Sequence, residues 1–334
     1  MTNSISTDPA AIPEAKASRG FAGWVILGVA VLCVQIYTYA AWVMSPDFRP
    51  TPPGSDPMPA IAHVSIAGYE LFSMLILIPV VVWFVYGVAK TGKIDITRAL
   101  MVGWLSAYWL DPYLNVLRPM FTYNASAVNF GSWASHIPFW HSAGGARIAE
   151  PLLIIAPSYF YTFSTTALIA VWVMNRAEML RPGLKWAGLL LAGFIGVWFT
   201  MELLDIVATR YMGLDAWPGS VQSLSLWGGA FYQFPIYELI FFPSPFVACA
   251  FLIRSADARG DTAIERGISA MAGPQWRRNM FRIFAFVAFC NVCNFAYTGG
   301  MALTSLAANP WPAGVPSWLA DGQCGAFTGL PCKP

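Results

Sequence analysis

Apolar residues run through this chain in long uninterrupted blocks rather than alternating with polar ones. Seven blocks each predict a helix long enough to cross a bilayer: Phe21 to Val43, Ile61 to Ala89, Ala99 to Phe121, Pro151 to Met174, Trp186 to Ala208, Tyr232 to Ile253 and Phe281 to Thr304. The stretches between them are rich in Pro, Gly, Asn and charge, the usual breaks between helices. The segment before Phe21 carries Asp8, Glu14, Lys16 and Arg19 beside Pro9 and Pro13, and it lacks an apolar signal core. It reads as a disordered cytoplasmic leader over 1–20, followed by a seven-helix domain over 21–304 and an external tail over 305–334.

Composition supports this reading. Hydrophobic residues make up 57% of the 334 positions and charged ones 11%, against about 25% charged in soluble domains. So few charges cannot solvate a globular surface, and the lipid bilayer is the expected surrounding. The expected fold class is therefore all-α, a polytopic transmembrane bundle in a cell membrane. A formal net charge of +2 gives no footprint for nucleic acid.

The distribution of basic residues sets the orientation. Fourteen of the 19 Lys and Arg fall in the leader and the second, fourth and sixth connections and their flanks, as in Lys90, Lys93 and Arg98 or Arg277, Arg278 and Arg282. The other five are Arg49, Arg118, Arg147, Arg210 and Lys333. The amino terminus is thus expected inside and the carboxyl terminus outside. Cys324 and Cys332 flank glycines and a proline in the outer tail, where an oxidising compartment would let them form a disulfide. Cys33, Cys249, Cys290 and Cys293 fall within spans; Cys290 and Cys293 have a metal-like spacing but are expected to pack as small hydrophobes.

Acids inside spans are costly and concentrate at functional sites. Glu70, Asp111, Glu202, Asp205 and Glu238 lie within predicted spans and Glu150 at the start of one. With the orientation above, all six fall between the membrane middle and its outer edge. Helical spacing puts Asp111, Asn115 and Arg118 on one face, Glu202 and Asp205 on another, His63 with Glu70, and Asn291 with Asn294. Lipid cannot hydrogen-bond these groups, so they are expected to turn toward a common cavity opening outward. The connection from Asn124 to Glu150 is long and holds Asn129, Trp133, His136, Trp140 and His141, which suits a lid or binding element. Each feature also has a plainer reading. Asp111 and Arg118 can form a structural ion pair, and the two histidines can sit at the interface without chemistry. No nucleotide, zinc-protease or serine-nucleophile motif is present.

The runs D-P-Y-L-N from Asp111, F-T-Y-N from Phe121, N-F-G-S-W from Asn129, I-P-F-W from Ile137 and E-P at Glu150 resemble the AveC-like spirocyclase family. F-P-I-Y-E around Glu238 and E-R-G at Glu265 extend the resemblance, which spans Phe21 to about Gly267. It implies a membrane-embedded cyclase or dehydratase of the kind that closes a dihydroxyketone into a spiroketal in polyketide secondary metabolism. Such a reaction needs an acid, a base and a polar pocket for an oxocarbenium ion, with no cofactor and no metal. Glu202 and Asp205 are the expected coupled acid and base, Asp111 held by Arg118 the stabilising charge, and Glu70 and Glu238 the next candidates. Asn115, Arg118, Asn129, Trp133, His136, Trp140, His141 and Glu150 are the expected contacts to a lipophilic hydroxy-ketone or polyol. A proton-coupled carrier or lipid-binding protein would use the same carboxylates, and a structural partner in a membrane complex is a third reading. Oligomeric state is left open by the chain.

Overall fold

A computed structural model of the chain describes residues 20–325 and 328–329. Helical rods occupy all seven apolar blocks, and four of them are long and apolar enough to cross a membrane: Phe21–Val43, Ala60–Thr91, Trp186–Met212 and Gln275–Ala307. Helix α1 is Phe21–Val43 and α2 is Ala60–Thr91. Pro59 precedes α2, and Gly92 in the left-handed region (φ 65°) ends it with its N–H on the Val88 carbonyl. Helix α3, Ile96–Ala107, starts where the Asp95 side chain accepts from the Arg98 N–H at 2.9 Å.

The third block departs from expectation. Beyond Ala107 the chain tightens into a 3-10 turn over Tyr108–Asn115 that contains Pro112, and it leaves helical geometry at Val116. A proline inside the turn and three residues per turn rule out an α-helix running on to Phe121. The fourth rod begins at α4 (Ile155–Pro157), widens into a π turn over Ser158–Thr162 and continues as α5 (Phe163–Leu180). The fifth comprises α6 (Trp186–Val197), a π turn over Trp198–Glu202, α7 (Leu203–Val207) and a second π turn over Ala208–Met212. In the sixth block helix starts only at α8 (Glu238–Phe241), and α9 (Pro243–Arg254) follows; ahead of them lies a short strand rather than helix.

Helix α10 (Gln275–Thr304) is the central rod, lying between α1 and α3. Glycines permit the approach: a Cβ on Gly28 would overlap the Phe284 carbonyl, and one on Gly103 would press on the Phe286 carbonyl. Small residues at such crossings let helix backbones pack closely in a membrane. A polar seam runs through the same interface. Asn291 Oδ1 accepts from Gln35 at 3.2 Å and from the Trp109 indole at 2.6 Å, while its amide donates to Ser106 at 2.9 Å. Cys249, Cys290 and Cys293 are free thiols packed in this core.

At one end of the bundle Arg98 is buried against the Trp83 ring, donates to the Phe84 carbonyl and pairs with Asp95, joining α2 to α3. Arg282 holds Asp261 at 3.2 Å and Glu265 at 2.9 Å, fastening the 255–274 loop. At the other end, three loops form a layer. Strand β1 (Thr122–Tyr123) pairs antiparallel with β2 (Asp215–Ala216), setting Tyr123 opposite Asp215. Strands β3 (Ser225–Leu226) and β4 (Phe234–Pro235) make a second small pair. Trp311, Val315 and Trp318 are buried in this layer, with the short helix α11 (Ser317–Ala320). Cys324 is disulfide-bonded, and its expected partner Cys332 lies outside the described residues.

Replacing Gly28 with Leu should force α1 away from α10 and cost about 1–3 kcal/mol. A lower unfolding midpoint in detergent would show it, and an unchanged midpoint would mean the crossing is looser than described.

Candidate functional site

Beneath the loop layer lies a cavity of about 610 Å³. Its walls are mostly apolar, with Ile66, Phe72, Leu114, Ile154, Phe163 and Leu204 among them. Into it project four carboxyl groups from four different segments: Asp111 from the 3-10 turn, Asp205 from α7, Asp215 from β2 and Glu238 from α8. Tyr69, Tyr123, Tyr159 and Tyr297 line it as well. Its lining contains no Lys, Arg or His among the described residues. An acid cluster in an apolar chamber with no cation must be held by hydroxyl donors and by protons.

The geometry follows that rule. Tyr123 donates to Asp111 Oδ2 at 2.8 Å, and Tyr159 reaches the same carboxyl. Tyr297 donates to Glu238 Oε1 at 2.8 Å, and the Thr209 hydroxyl donates to Asp215. Asn294 fixes Tyr159 by donating to its hydroxyl at 3.3 Å while also donating to the Ala107 carbonyl. Two further acids stand behind this ring. Glu150, 2% exposed, lies in hydrogen-bond reach of Asp111, yet neither of its oxygens meets an N–H or hydroxyl donor. A carboxyl-to-carboxyl bond exists only when one partner holds a proton. Burial, and after it the Asp111 charge, push Glu150 well above the usual carboxylate range. Glu202, 1% exposed, sits near Glu238 and Asp205, and its oxygens also lack a donor among the described residues. Burial raises Asp215 in the same way, with Asp205 adding to it and the Thr209 hydroxyl opposing.

Local sequence explains the placement. Three π turns interrupt the fourth and fifth rods, and such bulges re-aim side chains at functional sites. One carries Tyr159, the second Glu202, and the third ends in Met212 at the cavity wall. Pro112 tightens the turn that carries Asp111.

The structure therefore brings Asp111, Asp205 and Glu238 to one chamber, with Glu150 and Glu202 directly behind. It places the other sequence candidates elsewhere. Glu70 lies outside the lining, its carboxylate accepting from the Val128 N–H at 2.7 Å and so pinning the long loop to α2. The expected face of Asp111, Asn115 and Arg118 does not form, because the turn ends at Asn115 without a 3.6-residue period. Asn115 instead accepts from the Met120 and Phe121 N–H groups, and Arg118 lines a separate depression beside Pro119, Gly219 and Asn309. Asn129 uses its whole amide on the loop, accepting from Thr51 and Gly131 and donating to Ala125 and Ala127. Trp133 is buried and donates to the Trp109 carbonyl; His136 contacts Asp47 and Ser45 at 3.2 Å. Trp140 donates to the Ser142 carbonyl, and His141 is exposed. These loop residues build the layer over the chamber rather than its walls.

Sequence reasoning missed Asp215 and the tyrosines. Asp215 falls just past the fifth apolar block, where an acid looks like an ordinary connector, and tyrosines look like headgroup anchors.

With this geometry in place, the sequence profile described as Spirocyclase AveC-like matches residues 93–319, more than half of the chain. The chain belongs to the AveC-like spirocyclase family. The match starts later than the resemblance read from motifs and runs further, through the residues up to Leu319 that cover the chamber. No curated protein and no solved structure matches the chain. Family membership suggests a cyclase-type role for the chamber of this AveC-like protein.

If Glu150 works as a proton carrier, activity is full while it is protonated and falls as pH rises through its raised pKa. Glu150→Gln cannot titrate and should lose that alkaline limb in a pH–rate profile. An unaltered limb in this variant would assign it to another group.

Proposed function

We propose that this protein is a membrane-embedded acid–base cyclase that closes a lipophilic dihydroxyketone, with loss of one water, to a cyclic ketal of the spiroketal type. The observation that carries the reading is the convergence of Asp111, Asp205, Asp215 and Glu238 on one otherwise apolar chamber, with Glu150 buried behind Asp111.

The chemistry assigns parts to these groups. A hydroxyl adds to the ketone to give a hemiketal. The proton shared by Glu150 and Asp111 is presented to the hemiketal hydroxyl through Asp111, which is the member that faces the cavity. The C–O bond breaks, water leaves, and an oxocarbenium ion remains. The surrounding carboxylates and tyrosine oxygens stabilise that cation more than they would in water, because the walls are apolar. The second hydroxyl attacks the cationic carbon and gives its proton to Asp205, one of the two acids expected from the sequence as the coupled acid and base. Glu202 stands behind it, buried and without a donor of its own among the described residues. Loss of a neighbouring C–H proton from the same cation would give the dehydration product instead.

In this reading seven spans cross a cell membrane with the amino terminus inside, and the chamber lies in its extracytoplasmic half. The leader, the helical domain and the outer tail are then the three parts of the chain.

Protein in lipid nanodiscs should convert an open, long-chain dihydroxyketone to a product lighter by one water. Asp111→Asn and Asp205→Asn should each lower kcat/KM by about 10²–10⁴, the usual worth of a positioned acid or base. Unchanged turnover in the double variant would overturn the assignment.

A further inference from the structure

The chamber is closed on the side of the loops and open on another. Above it, Asn124 donates to the Gly213 carbonyl at 2.8 Å, Ala125 donates to the Trp318 carbonyl at 2.9 Å, and the β1–β2 pair crosses between them. At the same end α2 meets the fifth rod: a Cβ on Gly213 would lie 3.2 Å from Ala62 and 3.3 Å from the Trp318 ring. Further along, α2 leaves the fifth rod and packs on the fourth, where Phe84 and Phe160 have ring centroids 5.8 Å apart.

Between those two contacts, residues of α2 and of the fifth rod line the cavity while also facing outward, which marks a slit between them. Val64, Gly68 and Phe72 repeat every fourth residue along one edge of α2, and Leu204 stands across from them; all four line the cavity. They are also outside surface: Val64 is 68% exposed, Phe72 55% and Leu204 64%. An added Cβ at Gly68 would meet nothing within 4 Å. At about 1.5 Å per residue, these positions lie about 6–18 Å along α2 from its start at Ala60, and Leu204 about 12 Å from the end of its rod at Met212. Both edges thus stand at one level within two helices that are long and apolar enough to cross a membrane. An apolar opening at that depth faces acyl chains rather than water.

We propose that the chamber takes its ligand sideways from the hydrocarbon of the bilayer, through the slit edged by Val64, Gly68, Phe72 and Leu204. The ligand class is a membrane-dissolved molecule with an oxygen-bearing head for the carboxyl end and a hydrocarbon remainder for the slit. The loop layer is then a fixed seal against water, which keeps the acids desolvated. The proposal takes the nature of the substrate from the cyclase reading, but the route stands on the slit itself.

The test needs no turnover, so a failed cyclase assay leaves it intact. Protein in phosphatidylcholine vesicles is irradiated with a long-chain alcohol carrying a diazirine, and in parallel with a water-soluble diazirine bearing a fixed positive charge. Adducts are mapped by mass spectrometry. The lipophilic probe should mark Met201 and Tyr69 inside the chamber as well as the outer face of α2 at Leu75 and Ile78, and the charged probe should mark neither pair. Gly68→Trp, and separately Leu204→Trp, should abolish the Met201 and Tyr69 adducts while those at Leu75 and Ile78 persist, which also reports that the helix is folded. Labelling of Met201 by the charged probe, or chamber adducts indifferent to both tryptophans, would overturn the lateral route.

Discussion

Carboxyl groups buried together, with no cation lining their chamber among the described residues, set the terms for everything around them. In an apolar setting each ionised acid is costly unless hydrogen bonds hold it, and two adjacent acids cannot both stay charged. The chain meets this with tyrosine hydroxyls on Asp111 and Glu238 and a threonine on Asp215, while burial raises the pKa of Glu150. The arrangement differs from the buried ion pairs that merely join helices. Arg282 with Asp261 and Glu265 is of that second kind, since a guanidinium there meets both carboxylates.

Keeping the acids in this condition sets demands on distant parts. Water has to be kept off, which gives the three outer loops their purpose and explains why so many of their polar groups are spent on one another. Asn129 satisfies its whole amide within that layer, and Glu70 anchors it to α2. The helices below have to be fixed as well, and the glycine contacts of α10 with α1 and α3 do so by letting backbones touch. Elements far from the chamber thereby hold its carboxyl groups in place.

Reading the candidates one by one shows why some were legible and others not. Asp205 and Glu238 stood out because an acid in an apolar run is conspicuous wherever the helix turns it. Asp111 was conspicuous too, but its partners were misjudged: the i, i+7 relation to Arg118 assumed a helix that Pro112 and the 3-10 turn do not allow. Asp215 had no apolar neighbours to mark it, and only its pairing opposite Tyr123 across two short strands brings it to the wall. The histidines and tryptophans of the long loop looked like binding groups because aromatic and imidazole side chains serve both ligands and packing, and one-dimensional spacing cannot separate the two.

The sequence by itself determined that the chain is built of apolar helices, that costly acids gather toward one end of them, and that the motifs resemble one family. Those properties are local, set by composition and by the length of each apolar run. Tertiary structure alone decided which acids share a chamber, which hydroxyls hold them, and that its opening lies between two helices rather than under the loops. These depend on π turns, strand pairing and helix divergence, which arise from contacts between residues far apart in the chain and leave no periodic trace along it.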